Sequence, residues 1–358
     1  MAARTRTSIF LILLSLFFTS GCTYRTLYID PAQTGTGRYS TFPSGPGWDI
    51  WPPSYLLMVM TTAQYEVTRY THAVGEDGLI PDETSPTGYR LLPGEAGRFV
   101  DRTSDTIRGA GIVLRQDGNF FLILTCHHVV EFTERLVYEI ESDDTHTGKL
   151  LIGEGQRQQQ QVFVGWPHMG QVSGTVIATS PEDDLALVRA DLRRFEGRVG
   201  PVLTPLGDSD ALKAGDGLYL LGAPSGKFHV TWGVATPGSR SLFFADTATP
   251  PGYSGGPVLA VARETGQLEL LGIITGSAGN MMRIWDFDDT VVPGYRLSEV
   301  DPDNVTAREI KTFDFGITHC ISEKRIRDLL RKAGLDAARD LPAMQMEGVR
   351  IDENQLER

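Results

Sequence analysis

From Ile107 onward the chain is broken into short β-branched and apolar runs, each closed by glycine or another turn former, and this interruption most constrains its fold. Ile107–Leu114 and Asn119–Thr125 flank Arg115-Gln116-Asp117-Gly118, whose Asp-Gly is a hairpin signal. Further strands are predicted at Lys149–Ile152, Gln161–Val164, Gly174–Thr179, Leu185–Ala190, Gly217–Leu221, His229–Ala235, Pro257–Ala262, Leu268–Ile274 and Thr312–Ile321. Such short, evenly spaced strands predict a barrel or sandwich rather than a βαβ array. The 39 glycines, about 11% of the chain against roughly 7% on average, supply the turns. At 358 residues, two core-bearing units are expected rather than one. One helix is predicted near the end: Ser322 as N-cap, Ile326, Leu329 and Leu330 as its apolar stripe, Arg331 and Lys332 in the last turn, and Gly334 as the stop. Gln156–Gln161, broken only by Arg157, reads as a solvated loop tip. The body is predicted to be all-β with a closing helix.

The segment before Ile107 is less informative. Pro31, Pro43, Pro46, Pro52 and Pro53, with Gly35, Gly37, Gly45 and Gly47, mark an extended, non-helical stretch. Tyr39, Phe42, Trp48 and Trp51 are expected to pack on the folded body rather than form a ligand platform. Ser54–Tyr70 suits one strand or one helix, and periodicity does not choose. Gly75–Gly97 is turn-rich.

At the N-terminus, Arg4 and Arg6 precede the apolar run Ile9–Phe18 and then Thr19-Ser20-Gly21-Cys22. As a helix that run is about 15 Å long, half of a ~30 Å hydrocarbon core. A basic start, a short apolar stretch and small residues make the layout of a secretory signal. Thr19-Ser20-Gly21-Cys22 resembles the cleavage box of bacterial lipoproteins, which implies residues 1–21 as signal, lipidation at Cys22 and an exported, membrane-anchored protein facing the periplasm or the cell exterior. An ordinary cleaved signal and an uncleaved anchor stay open, because the family usually has Leu, Val or Ile where Thr19 stands. The net charge of −12 argues against a general nucleic-acid binder. Three cysteines are too few for a disulfide framework.

Three constellations carry chemistry. Leu124-Thr125-Cys126-His127-His128-Val129-Val130 ends a strand, Asp183-Asp184-Leu185-Ala186-Leu187-Val188 begins one, and Pro250-Pro251-Gly252-Tyr253-Ser254-Gly255-Gly256-Pro257 is a glycine-flanked serine. A serine hydroxyl is a weak nucleophile until a histidine removes its proton. The histidine in turn needs a carboxylate to fix its tautomer and stabilise its cation. Glycines beside the serine let backbone N–H groups approach a developing oxyanion. Strand alternation predicts that His127 and His128 face opposite sides, with Cys126 on the His128 side. His72, His146, His168, His229 and His319 show no metal-ligand spacing, and Asp286, Asp288 and Asp289 do not fit a calcium loop, so no metal or cofactor is predicted.

Over roughly residues 107–333 the sequence resembles the trypsin-like serine peptidases, in particular the bacterial HtrA/Deg-type protease domain. Gly109-Ala110-Gly111-Ile112-Val113-Leu114 with Asp117-Gly118 is similar to that family's opening hairpin, Thr125–Val130 to its histidine segment, and Pro181–Leu187 to its aspartate segment. Leu206–Asp210, Leu212–Asp216 and Gly222–Gly226 resemble the inter-barrel crossover and the strand after it, and Asp246–Pro257 the run into the nucleophile. Phe315-Gly316-Ile317 resembles the closing strand. The resemblance implies a chymotrypsin-like double β-barrel with a C-terminal α-helix: barrel 1 over about 107–200, barrel 2 over about 201–321 and the helix over 322–333, between a 22–106 extension and a 334–358 polar tail. It implies His128, Asp184 and Ser254 as catalytic residues, the Gly252 and Ser254 N–H groups as oxyanion hole, and Ala248 and Thr249 as wall of the pocket for the side chain preceding the cut. Polypeptide substrates cleaved after small or medium aliphatic residues follow from that uncharged wall.

The sequence departs from the family pattern in three places. Tyr253 stands where relatives usually carry Asn, and the His128–Asp184 interval is long, implying a loop enlarged by the Gln-rich segment. After Gly334 only 24 residues remain, so no PDZ domain is expected and the relatives' trimer is not carried over. Cys126 and Cys320 are either a disulfide or two buried small side chains. Two rival functions are weighed. An α/β-hydrolase esterase needs Gly252-Tyr253-Ser254-Gly255-Gly256 to open a helix, yet a β-hairpin is predicted to follow. A non-catalytic peptide-binding or scaffold protein with the same barrels remains the alternative.

Overall fold

The structure, a computed structural model, describes residues 37–40, 53–76, 78–141, 145, 148–202, 204–239, 241–287 and 305–335, with backbone alone for 278–287 and 305–315. They belong to one compact unit, residues 37–358. The signal, Cys22, Phe42, Trp48, Trp51, His146, Asp288, Asp289 and the tail beyond Leu335 lie outside the described residues, as does the side chain of Asp286.

Strand β1 (Leu56–Tyr70) alternates buried and less buried residues along nearly its whole length, the mark of a strand with one face on a core. After it come a small ladder of β2 (Val74–Gly75) with β3 (Gly78–Leu79), then β4 (Arg98–Asp117) and β5 (Phe120–Thr125). A single turn of helix, α1 (His127–Val130), precedes β6 (Arg135–Glu141), β7 (Lys149–Trp166), β8 (Gly170–Ser180) and β9 (Leu185–Asp191). The sheet order is β1-β4-β5-β9-β8-β7-β6, and a further pairing of β1 with β7 closes six of these strands into a ring, leaving β6 on its outside. The second ring comprises β10 (Gly217–Gly222), β11 (His229–Thr236), β12 (Leu242–Asp246), β13 (Pro257–Val261), β14 (Leu268–Phe287) and β15 (Val305–Ser322), closed in the order β10-β11-β12-β15-β14-β13. Closure removes most of the exposed edge that short strands would otherwise present.

This is the double barrel with a C-terminal helix that the sequence predicts. Its boundaries differ. Barrel 1 does not begin at residue 107: β1 and the first half of β4, assigned to the extension, supply its closing strand, with Leu56 paired to Ile112 and Met58 to Gly165. Gln156–Gln161 is not a loop tip but the middle of β7, and β6, β7 and β8 fill the long His128–Asp184 interval. Its glutamines are compatible with a strand because much of this stretch is solvent-facing, while Val162 and Val164 just beyond are buried.

Helix α2 (Glu323–Lys332) buries Ile326, Leu329 and Leu330 in the same core as β5 and β9. Ser322 holds the N-cap position, but its hydroxyl does not cap the helix. At the other end Gly334 (φ 74°) donates to the Arg331 carbonyl and Leu335 to the Leu330 carbonyl at 2.9 Å, a Schellman stop. Among the described residues no helix is long and apolar enough to cross a membrane. Tyr39 does pack on the body: it is fully buried on barrel 2, and its hydroxyl accepts from Asp208 N–H at 2.8 Å and donates to Glu269 at 2.9 Å.

Candidate active site

His128 reaches its place because β5 ends at Thr125, whose hydroxyl donates to the Ala110 carbonyl at 2.7 Å, and the chain then makes the single turn α1. The two histidines therefore differ in direction through a helical turn, not through strand alternation. His128 points to solvent and to Asp184, whereas His127 Nδ1 is buried without a partner. The Asp184 carboxylate accepts from His128 Nδ1 at 2.8 and 3.0 Å and from the His128 backbone N–H at 2.9 Å. An ionised carboxylate only accepts, so His128 Nδ1 is the donor in this pair.

Asp184 sits at φ 52°, left-handed, between the short turn Pro181–Asp183 and β9. That turn is tied down from two sides: Ser180 donates to Asp183 at 2.8 Å, while Arg325 and Lys332 of α2 pair with Asp183 at 3.2 Å and Glu182 at 2.8 Å. The closing helix thus anchors the aspartate turn. Burial pushes the Asp184 carboxyl upward, but hydrogen bonds from His128 and Thr275 outweigh it and hold the group below the ordinary carboxylate range.

Ser254 lies in a bed of backbone between the barrels. Its carbonyl accepts from Ala110 N–H of barrel 1 at 2.7 Å, and the next residue, Gly255, donates to Ile274 of barrel 2 at 2.7 Å. Gly255 (φ 86°) has to be glycine, since a Cβ there would overlap the Ala110 carbonyl and the Thr125 hydroxyl. Gly252 (φ 106°) is equally constrained, with a Cβ falling 2.7 Å from Pro224 Cα. The Gly252 and Ser254 N–H groups donate to no other described group.

Thr275 links Ser254 and the Asp184 carboxylate, and sequence reasoning missed it. Its carbonyl accepts the Ser254 hydroxyl at 3.1 Å, and its own hydroxyl donates to Asp184 Oδ2. Its only sequence signal is a place directly after the apolar run Leu268–Ile274. In this structure Ser254 Oγ is therefore turned to Thr275 and not to His128.

Tyr253 does not enter the cleft. Its ring is buried against Gly222 in the barrel 2 core, its hydroxyl bonds His229 Nδ1, and burial pushes that hydroxyl up to about 12. Ala248 is exposed, while Thr249 is buried with its hydroxyl 3.1 Å from that of Ser277 and 3.0 Å from that of Thr318.

Cys126 and Cys320 are not bonded to each other. Both are free, fully buried thiols in different cores, Cys126 with barrel 1 and Cys320 with barrel 2. Cys126 donates to the Ile274 carbonyl at 3.2 Å, and burial pushes both thiols up. Cys126, His128 and Asp184 bring one potential ligand atom each within 4.8 Å of one another. Of the other histidines, His72 bonds Thr87 at 3.0 Å and His319 packs edge-on against Phe244.

Residues 109–272 match the family model for the trypsin-like peptidase domain. The chain is 29% identical over 175 residues to a probable periplasmic serine endoprotease, DegP-like, of Pseudomonas fulva, covering 46% of this chain and 29% of the relative. It is 27% identical over 177 residues to a protein of the same description from Halomonas elongata, covering 47% of this chain and 29% of the relative. The chain thus spans less than a third of the length of these curated relatives. Among solved structures it is similar to an HtrA-type protease, AlgW, with a decapeptide, at 17% identity and a TM-score of 0.37, covering 76% of this chain and 63% of the other. Over residues 109–272, a little under half of its length, the chain is thus similar to the trypsin-like peptidase domain.

Proposed function

We propose that the protein is a serine endopeptidase in which Ser254, His128 and Asp184 form the catalytic triad. The observation that carries this reading is the doubly hydrogen-bonded Asp184–His128 pair, joined through Thr275 to a serine seated between two left-handed glycines. Rotation of Ser254 Oγ from the Thr275 carbonyl to His128 Nε2 readies the nucleophile. Ser254 attacks the scissile carbonyl as His128 takes its proton, and Asp184 stabilises the imidazolium. The unengaged Gly252 and Ser254 N–H groups receive the oxyanion. Collapse expels the amine, protonated by His128, and water then releases the acyl group by the same steps. The burial of Tyr253 in the barrel 2 core, with its hydroxyl on His229, supports the catalytic reading over a non-catalytic scaffold.

The wall at Ala248 and Thr249 bears no charge, and the Thr249 hydroxyl is occupied by Ser277 and Thr318. Small or medium aliphatic side chains before the cut fit that wall. Export by the N-terminal signal, with a lipid at Cys22 holding the protein to a membrane, completes the proposal and agrees with the periplasmic description of the relatives. The test is casein degradation by the wild type and by Ser254→Ala, followed by peptides carrying Val, Ala, Arg or Asp before the cut. Equal casein loss with both proteins sinks the peptidase reading, and a clear Arg preference sinks the pocket assignment.

A further inference from the structure

The Gln-rich stretch of β7 has a bulge where it pairs with β1. Gln64 is opposite Gln159 and Tyr65 is opposite Arg157, so Gln158 is an extra residue. Three positions apart on a regular strand, Arg157 and Gln160 would face opposite sides. One inserted residue reverses the alternation and brings them to the same side. There Arg157 Nη1 donates to Gln160 Oε1 at 2.7 Å.

Both side chains reach Val130–Glu134, the segment that leaves α1. Gln160 Nε2 donates to the Val130 carbonyl at 3.0 Å, and Gln160 Oε1 accepts from Phe132 N–H at 2.9 Å. Arg157 donates to the Phe132 carbonyl and to Glu131 at 2.7 Å, and its backbone N–H donates to the Glu134 carbonyl at 2.8 Å. The Tyr65 hydroxyl adds a bond to the Thr133 carbonyl at 2.8 Å. A four-residue helical turn cannot hold itself in place, because helix nucleation is unfavourable and so few bonds follow it. Its start is fixed by Asp184, which accepts from the His127 and His128 N–H groups. Its end is fixed by β7.

We infer that Arg157 and Gln160 are positioning residues for His128: the bulge in β7 makes a clamp that sets the angle of the catalytic turn. The inference rests on the peptidase reading for its kinetic consequence, but not for its structural one. The experiment compares Gln160→Leu and Arg157→Met with Gln158→Leu and Gln159→Leu, exposed neighbours on the same strand. Two readouts are taken on folded full-length protein: the low-field proton resonance of the His128–Asp184 hydrogen bond, and kcat and KM for a peptide substrate. In the clamp variants the resonance is expected to disappear or shift, and kcat to fall about 10–100-fold with KM little changed, as for a displaced catalytic group. The neighbours are expected to behave as wild type, and Arg157→Lys, which keeps the charge and one donor nitrogen, to recover part of kcat. An unchanged resonance in both clamp variants overturns the inference, as does an equal loss in the two neighbours. A wild type that shows the resonance but cleaves nothing refutes the peptidase reading, and the clamp is then judged on the resonance alone.

Discussion

Replacing Thr275 with valine removes one of three donors to the Asp184 carboxylate while keeping the carbonyl that receives Ser254. Shape is nearly conserved, so the change isolates a single hydrogen bond. A bond to a charged group contributes about 1.5–3 kcal/mol net. At about 1.4 kcal/mol per factor of ten, full expression in the transition state corresponds to a loss of about 10–150-fold. Asp184 keeps the His128 backbone donor at 2.9 Å and Nδ1 at 2.8 Å, so the low end, about tenfold in kcat, is expected.

The pH dependence has a definite sign. In the wild type the folded-state pKa of Asp184 is held below its ordinary value, so its ionisation stabilises the fold above the unfolded pKa, and that gain is lost as pH falls through the folded one. Without the Thr275 hydroxyl, burial pulls the pKa back up. Thr275→Val is therefore less stable than wild type near neutrality, and the difference shrinks on acidification. Urea midpoints at neutral and acid pH measure this. Wild-type kcat together with a midpoint difference that does not shrink on acidification refutes the role given to Thr275.

Gly255→Ala places a Cβ in a left-handed position against the Ala110 carbonyl, so it loses at least about 1–3 kcal/mol from backbone strain alone, read as a lower urea midpoint. In a Cys22→Ser variant, Cys126 and Cys320 are expected to resist a thiol reagent in the native protein and to react after denaturation without reductant, because both are buried and unpaired. Rapid native labelling contradicts the burial, and two thiols that appear only after reduction contradict the free state.

The grouping of His128, Asp184 and Ser254 into one site was legible because each sits in a short stretch with its own local logic: a strand end before His128, a turn before Asp184 and glycines around Ser254. Two core-bearing units followed from chain length, a barrel or sandwich from strand length and spacing, and the double barrel from the family resemblance. What the sequence hid is long-range or set by a single register change. Thr275 looks like any strand threonine until β14 is laid beside Asp184. Arg157 and Gln160 look solvated until a bulge turns them onto the histidine turn. Tyr253 is a polar-tipped aromatic beside the nucleophile, and only Gly222 reveals that its ring points into barrel 2. Ser54–Tyr70 was ambiguous for a related reason: its alternation acquires meaning once β4 and β7 flank it.

The central claim is that Ser254 is a nucleophile activated by His128. Fluorophosphonate labelling, with the adduct located by peptide mass spectrometry, tests it most directly. The account predicts one adduct, on Ser254, absent in Ser254→Ala and strongly slowed in His128→Ala. No adduct on the folded wild type, or an adduct on another residue that persists in Ser254→Ala, contradicts it.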